Sequence, residues 1–298
     1  MDSIALLRSL GLTALLSLSV AMASAPEESP EFQATWKQGE ELWLKNDHSN
    51  SRAAFAQARK LSTTNALARA LYCRSLYEIG ELLPENADAA RLKLYDEMVI
   101  VAEEGLKADP KSGECMFMRA LGRARKANIN GILSSLKWGK AIMEDWLNAL
   151  NTPMGYVSPD GMRSRAEDMH ALGLFFREAP DSRLLKWLFG FSGSLAKAEE
   201  YSRQAAEIQV DQVEVQLELG VVLVARGLEE KIPAKVAEGK AQIQKVLGMP
   251  EKKKTDFIDK RHAKMLLDHP EMCRDYDRTG QQQSDAKDDA IRAAKNKG

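Results

Sequence analysis

The chain is poor in the residues that carry most enzymatic and disulfide chemistry. It has three cysteines, Cys73, Cys115 and Cys273, with no Cys-x-x-Cys spacing, which excludes a dithiol redox motif and a thiolate zinc cluster. Cys73 and Cys115 lie among apolar helical residues, where a small buried core side chain is the simpler reading; an odd count leaves one thiol over if a pair oxidises. The four histidines, His48, His170, His262 and His269, include no two at the spacing of a helical metal pair. Gly190-Phe191-Ser192-Gly193 falls one residue short of a nucleophile elbow, and no glycine loop suited to phosphate is present. No catalytic residue, metal ligand or cofactor is therefore singled out, and the chain reads as a non-enzyme. Neither charge sign dominates, with 42 Lys+Arg against 43 Asp+Glu; this argues against a nucleic-acid partner, which needs a concentrated basic face. Aromatic content is 6% and prolines number 10, so the pattern is not all-β. No stretch after residue 23 approaches 18 uninterrupted apolar residues, so no membrane span is expected there.

What is present at the amino terminus is an export pattern. Arg8 is followed by an apolar run over residues 10–20, and Ala21-Met22-Ala23 offers a small-x-small cleavage site. The expected organisation is a signal peptide over 1–23, cut after Ala23, a proline-bearing acidic linker over 24–35, a helical-repeat domain over 36–275, and a polar, mobile tail over 276–298. The mature chain is expected to be periplasmic or secreted and soluble. No cysteine ends the apolar run, so lipid anchoring there is not expected.

Ala, Leu, Glu and Lys dominate the remainder, which suits helices. Leu121-Gly122, Leu172-Gly173 and Leu219-Gly220 each place a glycine inside a helical stretch, at a cost of about 1 kcal/mol against alanine. Three such costs point to another helix approaching too closely for a Cβ, as in a tetratricopeptide hairpin. The glycines lie about 51 and about 47 positions apart, against about 34 in regular arrays, so the repeats are degenerate. Helices are expected over residues 32–44, 51–61, 65–79, 92–108, 114–127, 129–150 and 164–179, then over a short apolar piece at 184–191, from Leu195 onward, and over 213–227, 234–247 and 257–267. Capping boxes are predicted at Ser164-Arg165-Ala166-Glu167 and Asp211-Gln212-Val213-Glu214, and Ser194 is a predicted cap. The fold class is all-α: an irregular tetratricopeptide-like superhelix of hairpins, an α-solenoid.

Residues 213–227, with Leu219, Gly220, Leu223 and Gly227, resemble the first helix of a tetratricopeptide hairpin, and Gly105-Leu106 before Asp109-Pro110 resembles the end of a second helix. Ala198 and Ala205 around Ser202 resemble the small-residue side of another. The whole arrangement, including Leu172-Gly173 ending at Pro180 and the connection Phe189-Gly190-Phe191-Ser192-Gly193, is similar to the T-component family of bacterial TRAP-type transporters. It is also similar to the helical domain of regulator-of-microtubule-dynamics proteins. The first resemblance implies a periplasmic all-α repeat domain that partners a solute-binding protein. The chain departs from the lipoprotein members in lacking a lipobox cysteine.

The candidate binding residues are aromatic: Trp138, off the main stripe of its helix; Trp146, on that stripe; Phe175, beside Phe176; and Trp187, Phe189 and Phe191, clustered in a connection. Aromatics so placed either line a groove for a partner or apolar ligand or fill the core between irregular repeats. Met116 and Met118 flank Phe117, so one of them turns off its stripe. The expected function is binding of a partner protein, with a solute-binding protein as the specific candidate. The alternatives are a carrier holding an apolar small molecule in a helix-lined channel near Trp138 and Trp187, or a general periplasmic assembly scaffold. A homo-oligomer remains open.

Overall fold

The computed structural model describes residues 29–83, 86–252, 254–278 and 280. Within them lie twelve α-helices: α1 (Pro30–Leu44), α2 (His48–Leu61), α3 (Ala66–Glu81), α4 (Asp88–Ala108), α5 (Gly113–Asn130), α6 (Ile132–Leu150), α7 (Ser164–Glu178), α8 (Arg183–Phe189), α9 (Leu195–Ile208), α10 (Val213–Glu229), α11 (Pro233–Leu247) and α12 (Lys254–Asp268). A 3₁₀ turn over Pro270–Arg274 follows. Among the described residues the β-type pairing is a single isolated bridge, Val157 with Arg163. The predicted signal peptide lies outside the described residues.

Helices pack as successive hairpins: α1 with α2, α3 with α4, α5 with α6, α7 with α9, and α10 with α11. The short α8 is an insertion in the α7–α9 hairpin and rests on α6. From the second hairpin onward one helix of each unit also touches its counterpart in the next, α3 to α5, α5 to α7, α7 to α10 and α10 to α12. That inner row, with the second helices outside it, is a two-layer helical solenoid, as the glycine pairs predict.

The glycines sit where helices cross. A Cβ on Gly220 would lie 2.5 Å from Ile243 Cγ1 and 3.1 Å from the Ile243 backbone nitrogen on α11. One on Gly173 would lie 2.5 Å from Ser202 Oγ on α9. Gly122 faces Val99 Cγ2 at 3.0 Å on α4, in the preceding hairpin rather than its own.

Several boundaries differ from expectation, each for a physical reason. Helix α1 starts at Pro30, so residues 30–35 belong to the domain and not to a linker: Ser29 Oγ accepts from the Phe32 amide at 3.1 Å, Pro30 takes the first helical turn, and Phe32 is buried against Ala58 and Ala68. Helix α2 begins at His48 because Asp47 caps it. Neither predicted capping box forms. Ser164 is already inside α7 and its hydroxyl donates to the Tyr156 carbonyl at 3.0 Å, while Glu167 is taken by Arg74. Asp211 pairs with Lys252, and Glu214 pairs with Arg278 at 3.2 Å. The Ser194 cap forms, accepting from the Lys197 amide at 3.3 Å. At the carboxyl end Tyr276 is buried and Arg278 makes two 2.7 Å bonds to Asp259. The packed domain thus runs past residue 275; residues 281–298 of the predicted tail lie outside the described residues.

Candidate interaction face

Arginines join helix to helix, both between hairpins and within them. Arg74 on α3 makes a bidentate pair with Glu167 on α7. Arg177 on α7, with 1% of its side chain exposed, meets Glu218 on α10 at 2.7 Å and the Tyr276 carbonyl at 2.6 Å. Arg119 and Arg123 on α5 converge on Asp145 of α6 at 2.6 and 3.1 Å. Glu199 on α9 gathers Arg203, Arg226 and Lys235 at 2.8–2.9 Å. Such buried pairs fix the angle between neighbouring units more than they stabilise the molecule.

The sequence missed Asp168 on α7. It is fully buried, and neither carboxylate oxygen has a hydrogen-bond partner among the described residues. Burial, with Glu167 adding repulsion, holds its carboxyl well above the ordinary carboxylate range. The polarity of an isolated aspartate on a helix gave no signal that it faces inward. The three cysteines are all free and buried. Burial raises the Cys115 thiol to about 11 and the Cys273 thiol to about 12.

The six candidate aromatics divide. Trp146 and Phe191 are buried, at 3% and 6% exposure, so no partner reaches them and they are corrected to core residues. Phe175 stands between Trp146 at 5.9 Å, Phe176 at 5.6 Å and Phe191 at 5.7 Å. Phe176 stacks on Tyr201 at 5.8 Å. Phe191 lies directly on Gly139, where a Cβ would not fit. This column of rings welds α6, α7 and α9 around the insertion. A shallow depression of about 420 Å³ lies elsewhere, lined by Glu271, Met272, Asp275, Tyr276, Asp277 and Gly280.

Trp138 and Trp187 point the other way. Trp187 is 80% exposed and Trp138 46%, and Phe189 is half-buried. The sequence reading did not include Leu184 and Leu188, which are 62% and 53% exposed. Leu184, Trp187 and Leu188 follow i, i+3, i+4 spacing and share one face of α8. No residue of this helix is buried. It is held by its caps: Ser182 Oγ accepts from the Leu185 amide at 3.4 Å, and Gly190, at φ +76°, turns the chain out of the helix. Gly190 sits against the Lys140 methylenes of α6, so α8 lies beside the helix that carries Trp138. The signal available in the sequence was the composition of 183–189, apolar on one face and free of acid.

Among the described residues no group of three or more His, Cys, Asp or Glu is arranged to hold a metal ion, and no helix is long and apolar enough to cross a membrane.

The arrangement is that of a tetratricopeptide-repeat solenoid. A thermophilic TPR protein from Thermus thermophilus, TTC0263, is similar in structure at TM-score 0.54 and 16% identity, over 79% of this chain and 100% of its own. PilF of Pseudomonas aeruginosa aligns at TM-score 0.46 and 13% identity, over 87% of this chain and 97% of its own. MamA aligns at TM-score 0.41 and 13% identity, over 72% and 93%. No family model matches the chain. No curated protein matches it. At such identities it is the TTC0263 likeness that establishes the fold, and it establishes the fold alone.

Proposed function

We propose that the chain is a non-catalytic scaffold that binds another protein. The observation that supports this most directly is the solenoid itself: stacked hairpins present extended faces suited to holding a partner, and the ion pairs between hairpins keep those faces in fixed relation. We further propose that the chain is exported and that its partner is a periplasmic solute-binding protein. The pattern at residues 1–23 and the resemblance to the T-component family support that finer reading.

The test is affinity capture of the tagged chain from its own cells, followed by size-exclusion chromatography with light scattering. The scaffold reading expects one partner held stoichiometrically, and the finer reading expects a solute-binding protein. Elution of the chain alone, with no partner trapped by prior crosslinking, overturns the scaffold reading. Amino-terminal sequencing of the purified protein tests export separately: a start at Ser24 supports it, and a start at Met1 refutes it.

A further inference from the structure

The charges around the α6–α8 face carry a second message. Elsewhere in the domain several cations pair with carboxylates on other helices, as at Arg74–Glu167 and Arg177–Glu218. Around Trp138 and Trp187 no such pair between helices occurs among the described residues. Residues 131–143 and 182–198 contain no Asp or Glu, yet they hold Lys137, Lys140, Arg183 and Lys186, all exposed. Lys140 reaches Glu144 on its own helix at 3.6 Å, with both side chains more than half exposed. Lys137 lies over the Trp138 ring at 5.5 Å. Asp181, at the edge, is engaged by the Ser192 hydroxyl at 3.2 Å.

The face therefore exposes two tryptophans and two leucines among four cations, of which Lys140 alone has a carboxylate partner among the described residues. Protein-binding surfaces are enriched in tryptophan but depleted in lysine. Tryptophan and leucine beside lysine and arginine on one short helix are instead the composition of elements that lie in the headgroup plane of a bilayer. Indole rings settle at that depth, with lysine stems reaching outward to phosphate. No α8 residue is buried, so its apolar side chains are free to meet a planar surface.

We infer that the α6–α8 face docks the molecule on a bilayer surface bearing anionic headgroups, with Trp138, Leu184, Trp187 and Leu188 entering the interface and Lys137, Lys140, Arg183 and Lys186 meeting the phosphates. The inference goes beyond the scaffold reading and does not depend on it. It says what holds the molecule in place, while the other faces of the solenoid remain free for a protein.

The test uses the full chain with vesicles of phosphatidylcholine alone or mixed with phosphatidylglycerol, some carrying brominated acyl chains. Expected results are salt-sensitive partitioning onto the phosphatidylglycerol vesicles and quenching of tryptophan fluorescence by the brominated lipid. Trp138→Phe with Trp187→Phe should remove most of the quenching, because Trp43 and Trp146 are buried and Trp36 is partly buried against the core. Lys137→Gln, Lys140→Gln and Lys186→Gln together should lower the partition coefficient on the order of a hundredfold. All five positions are exposed, so thermal unfolding of these variants should match the parent. Equal partitioning onto both vesicle types overturns the inference, as does quenching that persists in the double tryptophan variant, which would place the contact elsewhere in the chain. Vesicles ignored by a chain that dimerises, and that Trp187→Glu makes monomeric, would identify the face as a contact between copies and overturn it too. None of these outcomes bears on capture of a protein partner, so the two readings fail separately.

Discussion

Gly239→Ala tests the helix crossing on which the carboxyl-terminal half depends. Gly239 on α11 and Gly220 on α10 face each other. A Cβ on Gly239 would lie 2.7 Å from the Val224 backbone nitrogen and 2.8 Å from the Gly220 carbonyl oxygen. Both obstacles are backbone, so no rotamer change relieves them, and α10 and α11 must separate by about 0.7 Å to reach ordinary contact. That separation loosens Val221, Val224, Ile243 and Val246, which share one buried cluster. Overpacking of this kind costs typically 1–3 kcal/mol, and the backbone contact places it near the upper end. Alanine returns about 1 kcal/mol of helix propensity. The expected net loss is about 2 kcal/mol, or roughly 4–8 °C in Tm for a domain of this size. Urea titration followed by far-ultraviolet circular dichroism measures it. The control is Gly248→Ala: the nearest atom to its Cβ is the Lys245 carbonyl at 3.6 Å, an ordinary contact, so that change should be neutral or gain a few tenths of a kcal/mol. If Gly239→Ala is as stable as Gly248→Ala, the helices do not cross at these glycines and the reasoning is wrong.

Other outcomes follow from buried groups. Arg177→Met strands Glu218 and releases the Tyr276 carbonyl; about 3–5 kcal/mol should be lost, with faster amide exchange around residues 270–278. Asp168→Asn should be neutral near pH 4 and stabilising by about 1–3 kcal/mol at pH 8. The sign follows from the raised carboxyl: the folded state keeps its proton above pH 3.8, where the unfolded state releases it, so parent stability falls as pH rises and that of the asparagine variant does not. The thiols of Cys73, Cys115 and Cys273 are buried and raised, so a disulfide reagent at pH 8 should label them only as fast as the domain opens; immediate labelling of any one would refute its burial.

What was legible in the sequence is what depends on local pattern. Gly122, Gly173 and Gly220 announced close helix crossings because a glycine in a helix interior has few other physical explanations. Ser194 announced a cap because its partner is three residues away. What was not legible depends on residues far apart in the chain. Glu167 and Glu214 looked like capping-box members, but Arg74 and Arg278 compete for them with stronger, charge-assisted bonds. Trp146 and Phe191 looked available because their helix and connection carry more aromatics than one stripe needs. The surplus is absorbed where α6, α7 and α9 meet around an insertion, a junction that periodicity along one helix does not encode. Leu184 and Leu188 were passed over for the opposite reason: an apolar face predicts burial, and here it is left uncovered.

Charge matching gives that uncovered face its meaning. The chain is almost neutral, with 42 cations and 43 anions, and in most of the solenoid the two signs meet across helices, as at Arg74–Glu167, Arg119–Asp145 and Arg226–Glu199. Near neutrality is thus the result of local matching, and a place where matching fails stands out against it. Around α8 there is a doubled departure, since apolar side chains lack a cover and, among the described residues, Lys137, Arg183 and Lys186 lack a carboxylate partner. Each departure alone is common on protein surfaces. Together they match a single kind of surface, one that is apolar within and anionic at its edge. Neutralising the cations while keeping the tryptophans, and the reverse, should each weaken docking, the first mainly at low salt and the second at any salt.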